Sequence, residues 1–295
     1  MRVAITGAHG LVGRRLGQDL AHDGHQVIRI TRRPAEPDDV VWDPATGSLE
    51  GARIDGVDAI VHLAGETVGQ RWTASTRRRI LDSRVEGTGT IAKVASQLSR
   101  PPSVLVCASA VGYYGDRGDE LLTDDSDGGR GFLAEVVTAW EAAAEPARAA
   151  GIRVVHMRKG IVLSRDGGAL RRLLLPFRLG LGGRVGSGRQ WWPWLTLDDA
   201  VAAYRFALTS ATDGPVNVVA GSTRNADFAR ALGKALRRPA AMPLPAPVVR
   251  LAMGEMGREM LLASQRVEST RLAAEGFAFG STTIDRALAH VLRAG

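Results

Sequence analysis

The chain has 295 residues, 45% of them hydrophobic, with a formal net charge of +7 and a single cysteine. This length suits one large domain, or a domain with an appended lobe, and the apolar share is enough for a sizeable core. One cysteine excludes an internal disulfide, no apolar run is long enough to span a bilayer, and no basic segment leading into an apolar stretch opens the chain, so a cytoplasmic protein is expected.

The first strand is expected near 2–6 and runs into Thr6-Gly7-Ala8-His9-Gly10-Leu11-Val12-Gly13. Three glycines at intervals of three, between a strand and a helix expected near 11–23, form a pyrophosphate-binding turn. One permits the tight turn and one lets the backbone approach the phosphates. The third lets helix and strand pack closely, and the helix N-terminus attracts the negative charge. The second strand, near 26–31, ends in Thr31-Arg32-Arg33. An acidic residue there would hold the ribose 2′-hydroxyl of NAD, whereas a guanidinium grips the 2′-phosphate of NADP in two places, so NADP(H) is the expected cofactor. The third strand, near 58–63, is almost continuously apolar and gives way to small residues, Ala64-Gly65, where a cofactor would cross the sheet edge.

A helix is expected near 73–98. It carries Arg77-Arg78-Arg79 ahead of Ile80-Leu81, the pattern of a solvated helix face. The basic residues are otherwise spread out, lysine occurs only at Lys93, Lys159 and Lys234, and no nucleic-acid motif is present, so a nucleic-acid partner is not expected. A strand near 103–108 holds Cys107 in an apolar run, as a core residue. A helix near 132–150 and a strand near 152–157 complete an alternation that implies an α/β fold with a doubly wound parallel sheet. From about 160 the glycines become dense and Trp191, Trp192 and Trp194 cluster, which reads as a long functional loop over the site. Prolines crowd 239–247, and a helical pattern follows from Val248 to Leu262. The expected division is a Rossmann-type NADP-binding domain over 1–220, with 160–195 contributing to the substrate site, and a small α-rich C-terminal substrate lobe over 221–295.

These motifs resemble the extended short-chain dehydrogenase/reductase superfamily. More closely, the chain is similar to the atypical "epimerase-family" branch, which ends in a small C-terminal domain of unknown function. The shared landmarks run from end to end: the glycine turn, Trp42-Asp43-Pro44, Leu63-Ala64-Gly65-Glu66, Arg71-Trp72 and Ser83-Arg84-Val85-Glu86-Gly87-Thr88. They continue with Ser109-Ala110-Val111-Gly112-Tyr113-Tyr114-Gly115, Trp140-Glu141, the glycine-rich 176–190 stretch, Gly254-Glu255-Met256 and Gln265-Arg266-Val267. The resemblance implies a Rossmann-type fold that binds NADP(H). It puts Gly7, Gly10, Leu11, Val12 and Gly13 at the pyrophosphate, and Thr31, Arg32 and Arg33 at the adenosine ribose phosphate. It lays His62, Leu63 and Ala64 along the cofactor, with Arg84 nearby.

Enzymes of that superfamily use Tyr-x-x-x-Lys, in which the tyrosine exchanges a proton with the substrate oxygen and the lysine lowers its pKa. No such pair exists here. The fourth residues after Tyr113, Tyr114 and Tyr204 are Arg117, Gly118 and Leu208, and counting back from Glu141 places the usual pair at about Leu133 and Val137. Ser109 matches the superfamily serine. Tyr113 or Tyr114 could replace the proton donor, with Arg117, Arg71 or Arg84 supplying positive charge, or both could only wall the pocket.

Glu66 suits either a base or a holder of Arg71 or an amide. Arg178 and Arg189 suit a substrate carboxylate or phosphate, or surface ion pairs. Trp194 suits the core or a stacking platform, and Asp198-Asp199 suits the start of a helix. No Cys/His cluster points to a metal, and Gly186-Ser187-Gly188 lacks the context of a hydrolase nucleophile. The expected protein is an NADP(H)-dependent oxidoreductase or epimerase-like enzyme acting on a small polar substrate. The alternative is an NADP(H)-binding sensor or scaffold without catalysis. A homodimer is compatible with the sequence.

Overall fold

The computed structural model describes residues 1–293. In chain order it begins with β1 (Arg2–Thr6), α1 (Leu11–His22), β2 (Gln26–Thr31), β3 (Val40–Asp43), β4 (Ser48–Leu49), β5 (Ala59–His62), α2 (Ala74–Gln97) and β6 (Val104–Ala110). Next come β7 (Leu121–Leu122), α3 (Phe132–Ala142), α4 (Glu145–Ala149), β8 (Arg153–Lys159), β9 (Ile161–Leu163), α5 (Gly168–Arg178), β10 (Trp191–Thr196) and α6 (Leu197–Thr209). The chain continues with β11 (Gly214–Val218), β12 (Gly221–Arg224), α7 (Asn225–Leu236), α8 (Ala246–Gly257), β13 (Arg266–Val267), α9 (Thr270–Ala274) and α10 (Ile284–Arg293).

Eight strands form one sheet in the order β11-β8-β6-β5-β1-β2-β3-β4, parallel throughout except for the short β4. Successive side chains on each strand go to opposite faces, so the apolar strands feed two cores. On one face Val3, Ile5, Val61, Val106, Val155 and Met157 meet Leu16 and Leu20 of α1 and Ala200 and Tyr204 of α6. On the other, Ala4, Ile60, Leu105, Cys107 and Val154 meet Ile91, Ala92 and Ala95 of α2 and Ala147 of α4. This is the Rossmann-type doubly wound arrangement. Its chain reverses direction of travel beside β1, so the carboxyl ends of β1, β5, β6 and β8 open onto the ligand edge.

Two expected segments differ in detail. The helix expected over 132–150 is two helices, broken where Pro146 removes an N–H and opens α4 in its first turn. The stretch expected as a loop from 160 to 195 instead contains β9, α5 and β10, and its longest irregular part is 179–190. Its leucines supply a third core, in which Leu170, Leu174 and Phe177 of α5 meet Trp192, Trp194, Phe228 and Leu288. The glycines obscured that helical apolar spacing.

Candidate functional site

The turn after β1 shows why glycine is needed there. Gly7 has φ +66°, and a Cβ on it would lie 2.9 Å from the backbone of Leu63 and Ala64. A Cβ on Gly13 would lie 2.3 Å from the Gly7 carbonyl oxygen, so α1 can approach the turn only with glycine at that position. Gly10 precedes α1 with no side-chain cap, and the first turn of α1 carries no acid. By contrast α2 and α6 are capped by Thr73 and Thr196. The uncapped N–H groups of α1 therefore face a groove lined by Gly7, Gly10, Thr31, Arg32, Trp42 and Leu63. A pyrophosphate fits this cradle, and an adenosine ribose phosphate fits the Thr31–Arg32 end.

Arg33 is exposed and does not line the groove; its N–H donates to Thr31 Oγ1 at 3.3 Å. Leu11 and Val12 are half-buried on the first turn of α1, and Val12 packs on the core beneath the sheet.

Thr6 organises the opposite wall. Its hydroxyl lies 2.7 Å from His62 Nδ1 and accepts from the Leu63 N–H at 3.0 Å and the Ala64 N–H at 3.3 Å. His62 is wholly buried, its Nε2 has no partner, and burial followed by the Arg84 charge pushes its pKa down to about 4. His62 thus shapes the groove from behind while Leu63 and Ala64 border it. The Arg84 guanidinium donates to the carbonyls of Glu66 (3.0 Å) and Ile80 (3.1 Å) and lies 4.9 Å over the Trp140 ring.

His156 is also buried and neutral, pushed to about 4 chiefly by burial. Unfolded histidines titrate near 6.5, so between pH 6.5 and 4 the unfolded chain binds protons that the folded chain refuses. Stability is complete above pH 6.5 and falls as pH drops through this window, by up to about 3 kcal/mol per histidine. The variant His62→Asn/His156→Gln should show a shallower fall of Tm with pH over that range than the unchanged protein. Equal slopes would contradict the assignment.

At the carboxyl end of β6, Ser109 Oγ donates to Glu141 Oε1 at 2.6 Å. Arg158 donates to both oxygens of the same carboxylate, through Nε at 2.9 Å and Nη2 at 2.7 Å. The Arg158 guanidinium lies 3.6 Å from the Tyr113 ring centroid, and its Nη1 donates to the Tyr114 hydroxyl at 3.3 Å. Tyr114 is fully buried, with its phenol oxygen 2.8 Å from Asn217 Oδ1 and 2.9 Å from the Thr123 carbonyl. Tyr113 is only half-buried.

The structure thus gathers Ser109, Tyr113 and Tyr114 into one network and adds three members that sequence reasoning missed: Glu141 as a functional group, Arg158 and Lys159. Two adjacent cations ending an apolar strand were the available signal. Lys159 Nζ donates to the Tyr204 hydroxyl at 2.9 Å and to the Ser109 carbonyl at 3.3 Å.

The remaining candidates disperse. Glu66 accepts from Gln70 Nε2 at 2.9 Å, and its N–H donates to Ser83 Oγ at 3.0 Å. Arg71 is exposed, Arg178 is exposed on the last turn of α5, and Arg189 is exposed near the end of the 179–190 loop. Trp194 is 1% exposed and donates to Thr223 Oγ1 at 2.8 Å, which makes it part of the core. Asp198 and Asp199 do open α6; the Asp199 N–H donates to the Thr196 hydroxyl cap. Among the described residues no acidic, histidine or cysteine cluster could hold a metal ion, and no helix is long and apolar enough to cross a membrane.

Residues 3–221 match the model of the NAD dependent epimerase/dehydratase family, and residues 244–291 match a domain of unknown function, DUF1731. The chain is 42% identical over 301 residues to the Bos taurus epimerase family protein SDR39U1, covering 99% of this chain and 100% of that one. It is 40% identical over 292 residues to the Mycobacterium tuberculosis epimerase family protein MT2273, covering 98% and 96% of the two chains. The crystal structure of human epimerase family protein SDR39U1 (isoform 2) with NADPH superposes with a TM-score of 0.90 at 36% identity, covering 100% of both chains.

Proposed function

The chain belongs to the NAD dependent epimerase/dehydratase family, and from that premise we propose that it is an NADP(H)-dependent oxidoreductase or epimerase-like enzyme acting on a small polar substrate. The observation that carries this reading is the glycine cradle opening onto a groove that ends at Thr31 and Arg32 rather than at a carboxylate. The solved human relative is described with NADPH, which supports the same choice. Gly7, Gly10 and the first turn of α1 hold the pyrophosphate, Arg32 the 2′-phosphate, and Leu63 and Ala64 the middle of the cofactor. When bound, the cofactor would supply a hydride at the carboxyl edge of the sheet, on the β5, β6 and β8 side of β1.

The half-buried Tyr113 borders that edge and is the phenol of the pair able to meet a substrate oxygen. Arg158 fixes its ring from below, and Glu141 neutralises Arg158 and holds Ser109 Oγ in a single orientation. Tyr114 braces the same network from within the core. NADPH consumption against a panel of carbonyl compounds and nucleotide sugars tests the proposal. Tyr113→Phe should leave NADPH binding unchanged and lower turnover at least about tenfold, the lower end of what a positioned general acid supplies. Full turnover by Tyr113→Phe would remove the phenol from the mechanism.

One observation favours a second reading. The helix positions that carry the superfamily's tyrosine and lysine are here Leu133, packed on Gly112, and buried Val137. Tight NADPH binding with no consumption across the panel would favour an NADP(H)-binding sensor.

A further inference from the structure

Lys159 is the one lysine of the chain that lies within the sheet; Lys93 and Lys234 sit on α2 and α7. It closes β8, in register with Ala110 of β6 and Val218 of β11. Its side chain leaves the sheet on the α6 face, opposite to that of its neighbour Arg158. Arg158 finds a carboxylate. Lys159 finds none among the described residues: its ammonium is held by the Tyr204 phenol and the Ser109 carbonyl, two neutral oxygens. Tyr204 is 0% exposed and cannot reach a ligand, whereas Lys159 is partly exposed. A lysine anchored on dipoles without a counter-ion leaves its positive charge directed at whatever occupies the carboxyl edge above β6 and β8.

In the sheet, β6 and β8 lie on the other side of β1 from β2 and Arg32. The strand order β8-β6-β5-β1-β2 sets the adenosine side over β2 and the other half of a dinucleotide over β5, β6 and β8. The nicotinamide ring is positively charged in NADP+ and neutral in NADPH. We propose that Lys159 sets the oxidation-state preference of the site: its uncompensated ammonium opposes the charged ring of NADP+ and accepts the neutral ring of NADPH. The inference rests on the groove holding NADP(H).

The charge should also be switchable near neutral pH. Burial, and after it the charge of Arg84 on α2, pull the Lys159 ammonium down to about 7. The other titratable groups on the two faces of the sheet around it hold their charge across pH 6–8.5. Tyr204 on α6 is raised well above 10, Cys107 on the far face of β6 is raised to about 12, and Arg84 is lowered only to about 10. His62 is near 4, and on the far face of the sheet Glu141 and Arg158 neutralise each other.

The test is the ratio of dissociation constants, Kd for NADP+ over Kd for NADPH, measured by calorimetry from pH 6 to 8.5. Protonation of the 2′-phosphate, and of side chains along the adenosine and pyrophosphate, affects both ligands alike and cancels in the ratio. The ratio should fall by about tenfold or more with rising pH around a midpoint near 7, the size expected for one charge opposing another at an intermediate dielectric. In Lys159→Met it should be low and flat, and in Lys159→Arg high and flat. A pH-independent ratio in the unchanged protein, or the same pH dependence in Lys159→Met, overturns the proposal. Loss of both ligands in the unchanged protein would instead overturn the cofactor reading, and the proposal with it.

Should Lys159→Met not fold, selective 13C labelling of lysine gives three ε-carbon resonances. One should titrate near 7, well below the ordinary lysine value of 10.5, and move on adding NADP+. Three ordinary titrations would overturn the proposal.

Discussion

Replacing Arg158 by methionine should cost about 3–5 kcal/mol and lower Tm by about 6–15 °C. The Arg158 and Glu141 side chains are 5% and 12% exposed and make two hydrogen bonds to each other. Removing the guanidinium leaves a carboxylate in the protein with only Ser109 as a partner, and the desolvation cost of that charge is no longer offset. It also removes the cation beneath Tyr113 and the donor to the Tyr114 hydroxyl. The double variant Glu141→Gln/Arg158→Met takes away both charges and should recover part of the loss, because a neutral amide is cheaper to bury than an unpaired carboxylate. Thermal unfolding of the two variants decides the matter. A single variant within 2 °C of the unchanged protein would mean that the pair does not hold this edge of the sheet together.

Arg32→Ala should weaken NADPH binding by about 10- to 100-fold and NADH binding by less than about threefold. A charge-assisted, two-point grip on a phosphate is worth about 1.5–3 kcal/mol, and NADH lacks that phosphate. Arg32 lines the groove next to Thr31, whereas Arg33 does not line it. Arg33→Ala should therefore change the affinity for NADPH by less than about threefold. Equal losses for both dinucleotides in Arg32→Ala would show that Arg32 supports the groove without reading the phosphate.

The cofactor half of the site was legible because its chemistry is carried by backbone. Gly7 and Gly13 are required by a positive φ and by a close helix–strand approach, and both leave a fixed spacing in the sequence. The strands were equally plain, since β1, β5 and β6 are buried on both faces and read as unbroken apolar runs. The candidate chemical half was not legible, because its side chains converge from elements far apart in sequence. Glu141 on α3 meets Arg158 on β8 and Ser109 on β6, and Lys159 meets Tyr204 on α6. A search for Tyr-x-x-x-Lys assumes that both residues ride on one helix, and it is blind to a lysine and a tyrosine 45 residues apart. Of the two roles the sequence left open for Trp194, core or stacking platform, helix α5 decides for the core, because it supplies the apolar side chains that Trp194 joins.

Calorimetric titration of the unmodified protein with NADPH and with NADH tests the central claim most directly. Micromolar or tighter binding of NADPH, with NADH at least about tenfold weaker, is the predicted result, the margin set by the 2′-phosphate contact. Absence of NADPH binding, or equal affinity for the two, would contradict an NADP(H) site built from the glycine turn and Arg32.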